Sequence, residues 1–230
     1  MRVRIKTIFL KQTEKCHLCT LPLRANEHFC CDDCRHWCRA PAHCQRCGLP
    51  ATGSPSQCGT CLRLPPLWQT LTAIGPHQFP LDMLIRRFKY QRQPWLAKPL
   101  AAWLSTQIHH PASLLLPVPM HWRRRLLRGY NQSALLSQAL SQHLNIPVSY
   151  HHLKRQRHTQ PQQALDRQQR LHNLKDAFAL STTASLPQHV ALVDDVVTTG
   201  ATANSLTQLL LDHGVKRVDI YCLSRTTPPQ

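Results

Sequence analysis

The apolar positions of this chain fall into two regimes that meet near Trp68. In the later regime Val190-Ala191-Leu192-Val193 is a short unbroken apolar run ending in two acids, the pattern of a strand covered on both faces. Leu206, Leu209, Leu210 and Leu211 then recur at helical spacing up to Gly214, and residues 217–223 read as another strand. Strand, loop, helix, strand is the βαβ unit of a parallel sheet. Upstream, residues 113–118 read as a buried strand and residues 131–143 as a helix. Residues 71–85 and 95–108 read as amphipathic segments separated by a basic loop. Before Trp68 neither period is present and large aliphatics are few, so a segment of that size needs some support other than an apolar core.

The cysteines supply that support. Ten of the 11 lie between Cys16 and Cys61, and eight form Cys-x-x-Cys pairs: Cys16 with Cys19, Cys31 with Cys34, Cys44 with Cys47, and Cys58 with Cys61. A Cys-x-x-Cys turn puts two sulfurs on one side of a tight knuckle, and two knuckles close a tetrahedral zinc site with sulfur about 2.3 Å from the metal. The simplest pairing joins Cys16, Cys19, Cys31 and Cys34 in one site and Cys44, Cys47, Cys58 and Cys61 in a second, two ribbons with nearly the same internal gap, as after a duplication. Cys30 and Cys38 compete for the first site, and His17, His28 and His43 are possible substitutes for a thiolate. A disulfide cluster or a redox pair is the competing reading, but the opening residues are broken by charges and no small-residue cleavage site follows them. No stretch of about 18 apolar residues occurs either, so a cytoplasmic protein without membrane insertion is expected. Sites with four thiolates are structural, with no open position for catalysis.

Hydrophobic content of 42% fits a folded chain, and 28 Lys plus Arg against 11 Asp plus Glu, a net charge of +17, point to an anionic partner. Fifteen of those cations and only two acids, Asp82 and Asp166, lie in residues 69–175. Arg86-Arg87-Phe88-Lys89-Tyr90 and Arg123-Arg124-Arg125 lie there with Trp95, Trp103 and Trp122. Cations interleaved with aromatics suit single-stranded nucleic acid, with phosphates on the charges and bases on the rings. Solvated helix faces over core aromatics would give the same composition.

The loop Asp194-Asp195-Val196-Val197-Thr198-Thr199-Gly200-Ala201-Thr202 carries the sharpest chemistry. Carboxylates at the end of a buried strand accept hydrogen bonds from sugar hydroxyls. Backbone N–H groups, threonine hydroxyls and a helix N-terminus cradle a phosphate, with Gly200 permitting close approach. A ribose 5-phosphate matches that order along the chain. Paired acids capping a helix loop without a ligand are the alternative.

Residues 190–202 resemble the 13-residue phosphoribosyl-pyrophosphate signature of type I phosphoribosyltransferases. Together with the ribbons, Val118-Pro119 and Arg128-Gly129-Tyr130-Asn131-Gln132, they resemble the ComF/GntX family associated with DNA uptake in natural competence. A segment with Arg155, Arg157, Thr159, Gln162, Arg170, Asn173, Leu174 and Phe178 adds to the likeness. The resemblance implies an α/β fold: a type I phosphoribosyltransferase-like parallel sheet with helices on both faces, preceded by a double zinc ribbon. It implies an N-terminal extension over residues 1–15, the ribbons over 16–64 and the phosphoribosyltransferase-like domain over 65–230. It further implies that Asp194 and Asp195 bind the ribose hydroxyls, that Thr198, Thr199, Gly200, Ala201 and Thr202 hold the 5-phosphate, and that the loop after Val118-Pro119 meets pyrophosphate. Arg128, Arg155, Arg157 and Arg170 are then candidates for a mobile cover over the leaving group, Mg2+ arrives with the phosphoribosyl pyrophosphate, and Asp194, Asp195 and Arg128 are the candidate catalytic groups.

Only seven residues follow Leu223, so no base-reading hood is expected there, and residues 69–110 or the ribbons are left to cover the site. Three functions follow: a competence-type protein that binds single-stranded DNA and a sugar phosphate, working with other DNA-uptake proteins; a phosphoribosyltransferase of nucleotide salvage; or a sugar-diphosphate sensor that recruits partners through the ribbons. The first is favoured by the charge, the ribbons and the family likeness together.

Overall fold

The computed structural model describes residues 14–53, 56–120, 126–156, 177–181 and 185–227, which group into two compact units, residues 1–37 and 38–230. In the first unit Lys15 bridges Pro22, Cys16 N–H donates to Leu21 O (2.8 Å), and Thr20 N–H returns to Cys16 O (2.9 Å), closing a knuckle around the first cysteine pair. The second pair begins α1 (Asp32–Cys38), whose first turn carries Asp32 and Asp33, favourable against the helix dipole. The Glu27 carboxylate accepts from the backbone N–H groups of Arg24 (2.7 Å) and Asp32 (2.9 Å), pinning the loop between the pairs.

The second unit starts with the same ribbon again. His43 bridges Pro50, Cys44 N–H donates to Leu49 O (2.9 Å), Gly48 N–H returns to Cys44 O (2.8 Å), and the other cysteine pair begins a helix, α2 (Gly59–Arg63). Thr20 and Gly48, at matching places, both have positive φ, 64° and 71°. The duplication expected from cysteine spacing is therefore a duplication of hydrogen bonds as well.

A four-stranded parallel sheet follows, made of β1 (Thr70–Pro76), β2 (Leu115–Pro117), β5 (His189–Val197) and β6 (Arg217–Arg225) in the order β1-β6-β5-β2. Helices α3 (Leu81–Tyr90), α4 (Ala97–Ser105), α5 (Gln132–Leu144) and α6 (Ala201–Asp212) connect or flank these strands, and β3 (Leu153–Arg155) with β4 (Phe178–Leu180) forms a separate antiparallel pair. Alternation sorts the sheet's two faces. Val190, Leu192, Val218 and Ile220 pack with Leu206 and Leu210 of α6 and with Trp68, while α4 and α5 pack on each other, the former also on β1 and β6 and the latter on β2 and β5. The parallel sheet is what the apolar runs predicted, and helices on both of its faces are what the family resemblance implied.

One local expectation changes. Residues 71–85 are not one amphipathic segment: the first part is the edge strand β1, paired with β6 and with Leu71 buried beside Trp68 in the core and Ile74 buried as well, and the remainder opens α3. The basic loop expected beyond residue 85 is in large part the second half of α3, which runs to Tyr90 because Leu84, Ile85 and Phe88 bury one helical face while the cations take the other. Among the described residues no helix is long and apolar enough to cross a membrane.

Candidate functional site

Cys16, Cys19, Cys31 and Cys34 converge in one cluster and Cys44, Cys47, Cys58 and Cys61 in another, with all sulfurs of a cluster within 4.8 Å of one another. Zinc–sulfur bonds of about 2.3 Å in a tetrahedron put sulfurs about 3.8 Å apart. Here Cys19 and Cys31 Sγ are 3.7 Å apart, Cys47 and Cys58 Sγ 3.8 Å, and Cys44 and Cys61 Sγ 3.9 Å, distances that fit an ion and not a disulfide. Backbone N–H groups point at the first sulfur of each cluster, Cys31 N at 3.4 Å from Cys16 Sγ and Cys58 N at 3.2 Å from Cys44 Sγ. Against the opposing effect of burial, these donors help hold the Cys16 and Cys44 thiols down at about 6 and 7, so one thiolate of each cluster is ready for a cation, whereas burial pushes the Cys34, Cys47 and Cys61 thiols up. Of the competitors, Cys30 and Cys38 are buried outside both clusters, His17 stacks on Phe29, and the His43 ring meets Pro41 O at 2.9 Å. The two four-cysteine clusters can hold zinc.

At the other end of the second unit, β5 delivers Asp194 and Asp195 at the carboxyl edge of the sheet, the place where open α/β sheets bind ligands. Asp194 Oδ1 accepts from the Ser133 hydroxyl (3.0 Å) and from Asp195 N–H (2.8 Å). Asp195 is buried and its Oδ1 lies 2.9 Å from Lys89 Nζ. Burial first, then the neighbouring Asp195 charge, push the Asp194 carboxyl up to about 7. Beside them the His77 ring sits 2.9 Å from Ser224 Oγ, and burial followed by the Lys89 charge holds its pKa below the usual range.

The loop then turns outward: Thr198 and Thr199 are exposed, Thr199 Oγ1 accepts from Ala201 N–H (3.3 Å), and Gly200 (φ 80°) caps α6. Any Cβ at Gly200 would stand 2.6 Å from the Trp68 ring, so packing as well as φ restricts this position to glycine. Exposed hydroxyls at the N-terminus of a twelve-residue helix, one turn beyond two fixed acids, can take a phosphate and a vicinal diol together.

Arg128-Gly129-Tyr130-Asn131-Gln132 stitches three elements to this edge. Asn131 caps α5, accepting from Ser133 N–H (3.1 Å) and donating to Val118 O (3.3 Å); Tyr130 OH donates to Phe88 O; Gln132 Nε2 reaches Lys89 O at 3.5 Å. The Arg128 guanidinium lies 4.9 Å over the Tyr90 ring. The motif thus fixes the loop after Val118, the end of α3 and, through Ser133, Asp194. Pro119 follows in that loop. Arg155 stands elsewhere, on β3, with its guanidinium 5.3 Å over the Phe178 ring, and Arg157 and Arg170 lie outside the described residues, as do Arg123, Arg124 and Arg125.

The second metal ribbon also reaches this site, by residues the sequence reading did not single out. The buried Arg225 donates to Cys47 O (2.9 Å) and to Val197 O (3.0 Å), spanning from the knuckle to the end of β5. Trp68 donates its indole N–H to Arg46 O (2.6 Å) while its ring closes on Gly200, and Leu67 N–H donates to Asn204 Oδ1 (3.0 Å) in α6. Ser133 and Lys89 were also missed as partners of the acids. Ser133 follows the capping Asn131 by two residues, a detectable helix-start signal, whereas nothing in the sequence pairs Arg225 with Cys47 or Lys89 with Asp195.

A phosphoribosyl transferase domain family matches residues 131–227. Competence protein F of Haemophilus influenzae is 37% identical over 221 residues, spanning 92% of this chain and 96% of that protein. DNA utilization protein YhgH of Escherichia coli strain K12 is 39% identical over 220 residues with the same shares covered. Among solved structures, a Trypanosoma cruzi hypoxanthine phosphoribosyl transferase is 18% identical with a TM-score of 0.36 over 65% of this chain and 71% of that one, a likeness too slight to carry residue roles. With two ribbons, a phosphoribosyl transferase domain and near full-length relatives of this kind, the chain belongs to the ComF/GntX family of competence and DNA-utilization proteins.

Proposed function

We propose that this chain is a cytoplasmic DNA-handling protein of natural competence that binds single-stranded DNA and, at the edge of β5, phosphoribosyl pyrophosphate or a related sugar phosphate. It would work beside other DNA-uptake proteins, with zinc as the structural metal of both clusters. The observation that carries the sugar-phosphate half is the sequence of groups at one sheet edge: Asp194 and Asp195 held by Ser133 and Lys89, then Thr198 to Thr202 opening α6. Ribose hydroxyls would bond the acids, the 5-phosphate would take the exposed threonines and helix N-terminus, and Mg2+ would come with the diphosphate, since two acids alone make no full octahedral cage. The +17 charge supports the DNA half.

Calorimetry tests the site. Phosphoribosyl pyrophosphate with Mg2+ should bind the zinc-loaded chain, and Asp194→Asn with Asp195→Asn should weaken it at least tenfold with the thermal transition retained. Unchanged affinity would remove the assignment. Labelled single-stranded oligonucleotide should bind with an affinity that falls steeply with salt; a dissociation constant indifferent to salt contradicts the DNA half.

A further inference from the structure

Next to the acid pair is a second concavity that the sugar-phosphate reading leaves empty of function. A cavity of about 340 Å3 is lined by Lys89, Tyr90, Arg92, Leu127 and Arg128. Three of the five lining residues are cations and none is an acid. Its volume lies at the low end of small-ligand pockets, about the size for one nucleotide. Tyr90 and Leu127 are 65% and 80% exposed, an aromatic ring and an apolar side chain held in water beside the charges. Among the described residues no ion pair engages Arg92 or Arg128; the latter lies over the Tyr90 ring and reaches the Tyr90 hydroxyl at 3.4 Å. Arg92 sits just past the end of α3 in the left-handed conformation (φ 51°), which costs a non-glycine residue backbone strain. Lys89 belongs to both places, lining the cavity while its ammonium meets Asp195 at 2.9 Å.

We propose that this cavity is a subsite for one nucleotide of a single DNA strand, with the phosphate on Arg92 and Arg128 and the unpaired base on the Tyr90 ring. The inference rests on the DNA half of the proposed function and places that contact. Arg92 and Arg128, which no ion pair engages among the described residues, favour a polyanion, and an exposed ring beside them favours a base free to stack, which a duplex does not offer. The shared Lys89 links the two sites. Sugar hydroxyls bonding Asp195 would compete with Lys89 for that carboxylate and free the ammonium to add its charge to the cavity, so the sugar diphosphate and the strand would strengthen each other's binding.

Fluorescence anisotropy of labelled oligothymidine with the full, zinc-loaded chain tests this, using Tyr90→Ala, Tyr90→Phe and Arg92→Ala, none of which removes a group from the acid pair or the phosphate loop. Tyr90→Ala should weaken the strand about tenfold, in the range of one lost base stack, with little change in the salt slope, and Tyr90→Phe should restore it. Arg92→Ala should lower the log–log salt slope by about 0.7, one phosphate contact on a single strand. Phosphoribosyl pyrophosphate with Mg2+ should tighten wild-type strand binding, and its own calorimetric affinity should be unchanged in Arg92→Ala. Wild-type strand affinity and slope in both alanine variants overturn the subsite while the DNA reading stands. Duplex bound more tightly than single strand overturns it too, and wild-type protein that binds no strand at about 50 mM salt takes down the DNA reading with it.

Discussion

The two ribbons repeat the same backbone hydrogen bonds, the same thiolate tetrad and the same helix start, yet they lie in different compact units and bear different loads. In the first, the left-handed knuckle residue is Thr20, an exposed side chain. In the second it is Gly48, where a Cβ would stand 2.5 Å from Leu71 Cδ2 and 3.5 Å from Arg225 Cγ. The second copy is pressed against β1 and β6, and its carbonyls at Gln45, Arg46 and Cys47 accept bonds from Leu71, Trp68 and Arg225. One motif therefore serves twice: as the fold of the first unit and, in the second, as part of the wall behind the loop that opens α6. The second cysteine cluster is thereby tied, through its backbone carbonyls, to the residues that pack against the loop opening α6.

The largest test of that difference removes one ligand from each cluster. Cys58→Ser should lose its zinc and with it most phosphoribosyl pyrophosphate affinity, because Arg225 and Trp68 lose the knuckle carbonyls they bond. Cys19→Ser should lose the other zinc and unfold its own ribbon while leaving that affinity within about twofold, since most of the free energy of a structural zinc goes into its local fold. Metal content and calorimetry on both variants decide it; equal losses of affinity would make the ribbons equivalent. An intermediate effect is expected at the knuckle residues. Gly48→Ala should cost about 2–3 kcal/mol by urea unfolding, combining positive φ with the clash at Leu71, whereas Thr20→Gly should be neutral or slightly stabilising. Matching costs at the two positions would contradict the unequal loads.

The smallest effect is a pH dependence at the ligand edge that the second ribbon backs. Asp194, faced by Asp195, Ser133 and, beyond them, the Lys89 ammonium, titrates at about 7, far above a carboxyl in the unfolded chain. The folded protein therefore keeps a proton that the unfolded chain releases. This group's contribution is fully present below the unfolded carboxyl pKa and is lost as pH rises toward about 7, after which it is constant. Asp194→Asn should gain thermal stability over wild type on going from pH 5 to pH 8. A difference in Tm that is the same at both pH values would show the carboxyl is not perturbed by burial.

Much of this was legible beforehand where the determinants are local. Cysteine spacing anticipated the two tetrads, apolar runs anticipated β2, α5, β5, α6 and β6, and the acid-threonine-glycine order marked the loop that joins β5 to α6. The edge strand β1 was not legible as a strand, because its covered positions, Leu71 and Ile74, are spaced by three and mimic a helical stripe, and because its pairing partner β6 lies far along the chain, Leu71 opposite Ile220. Arg86 to Tyr90 fits both a nucleic-acid surface and a solvated helix face over core aromatics, and the structure divides it: Phe88 is core, Lys89 is tied to an acid, and Tyr90 faces water.

By itself, then, the sequence determined which groups are available: eight thiols in four close pairs, two adjacent carboxylates followed by a threonine-glycine loop, and an excess of positive charge. Each is written in adjacent residues, because a knuckle, a strand end and a helix N-terminus are made by short-range backbone geometry. Only the tertiary structure decided that Lys89 neutralises Asp195, that Ser133 holds Asp194, and that Arg225 and Trp68 join the second knuckle to the loop. Those pairings link residues far apart in the chain, and what brings them together is the parallel sheet: strand order, set by burial on both faces, puts the ends of β1, β5 and β6 side by side at one edge.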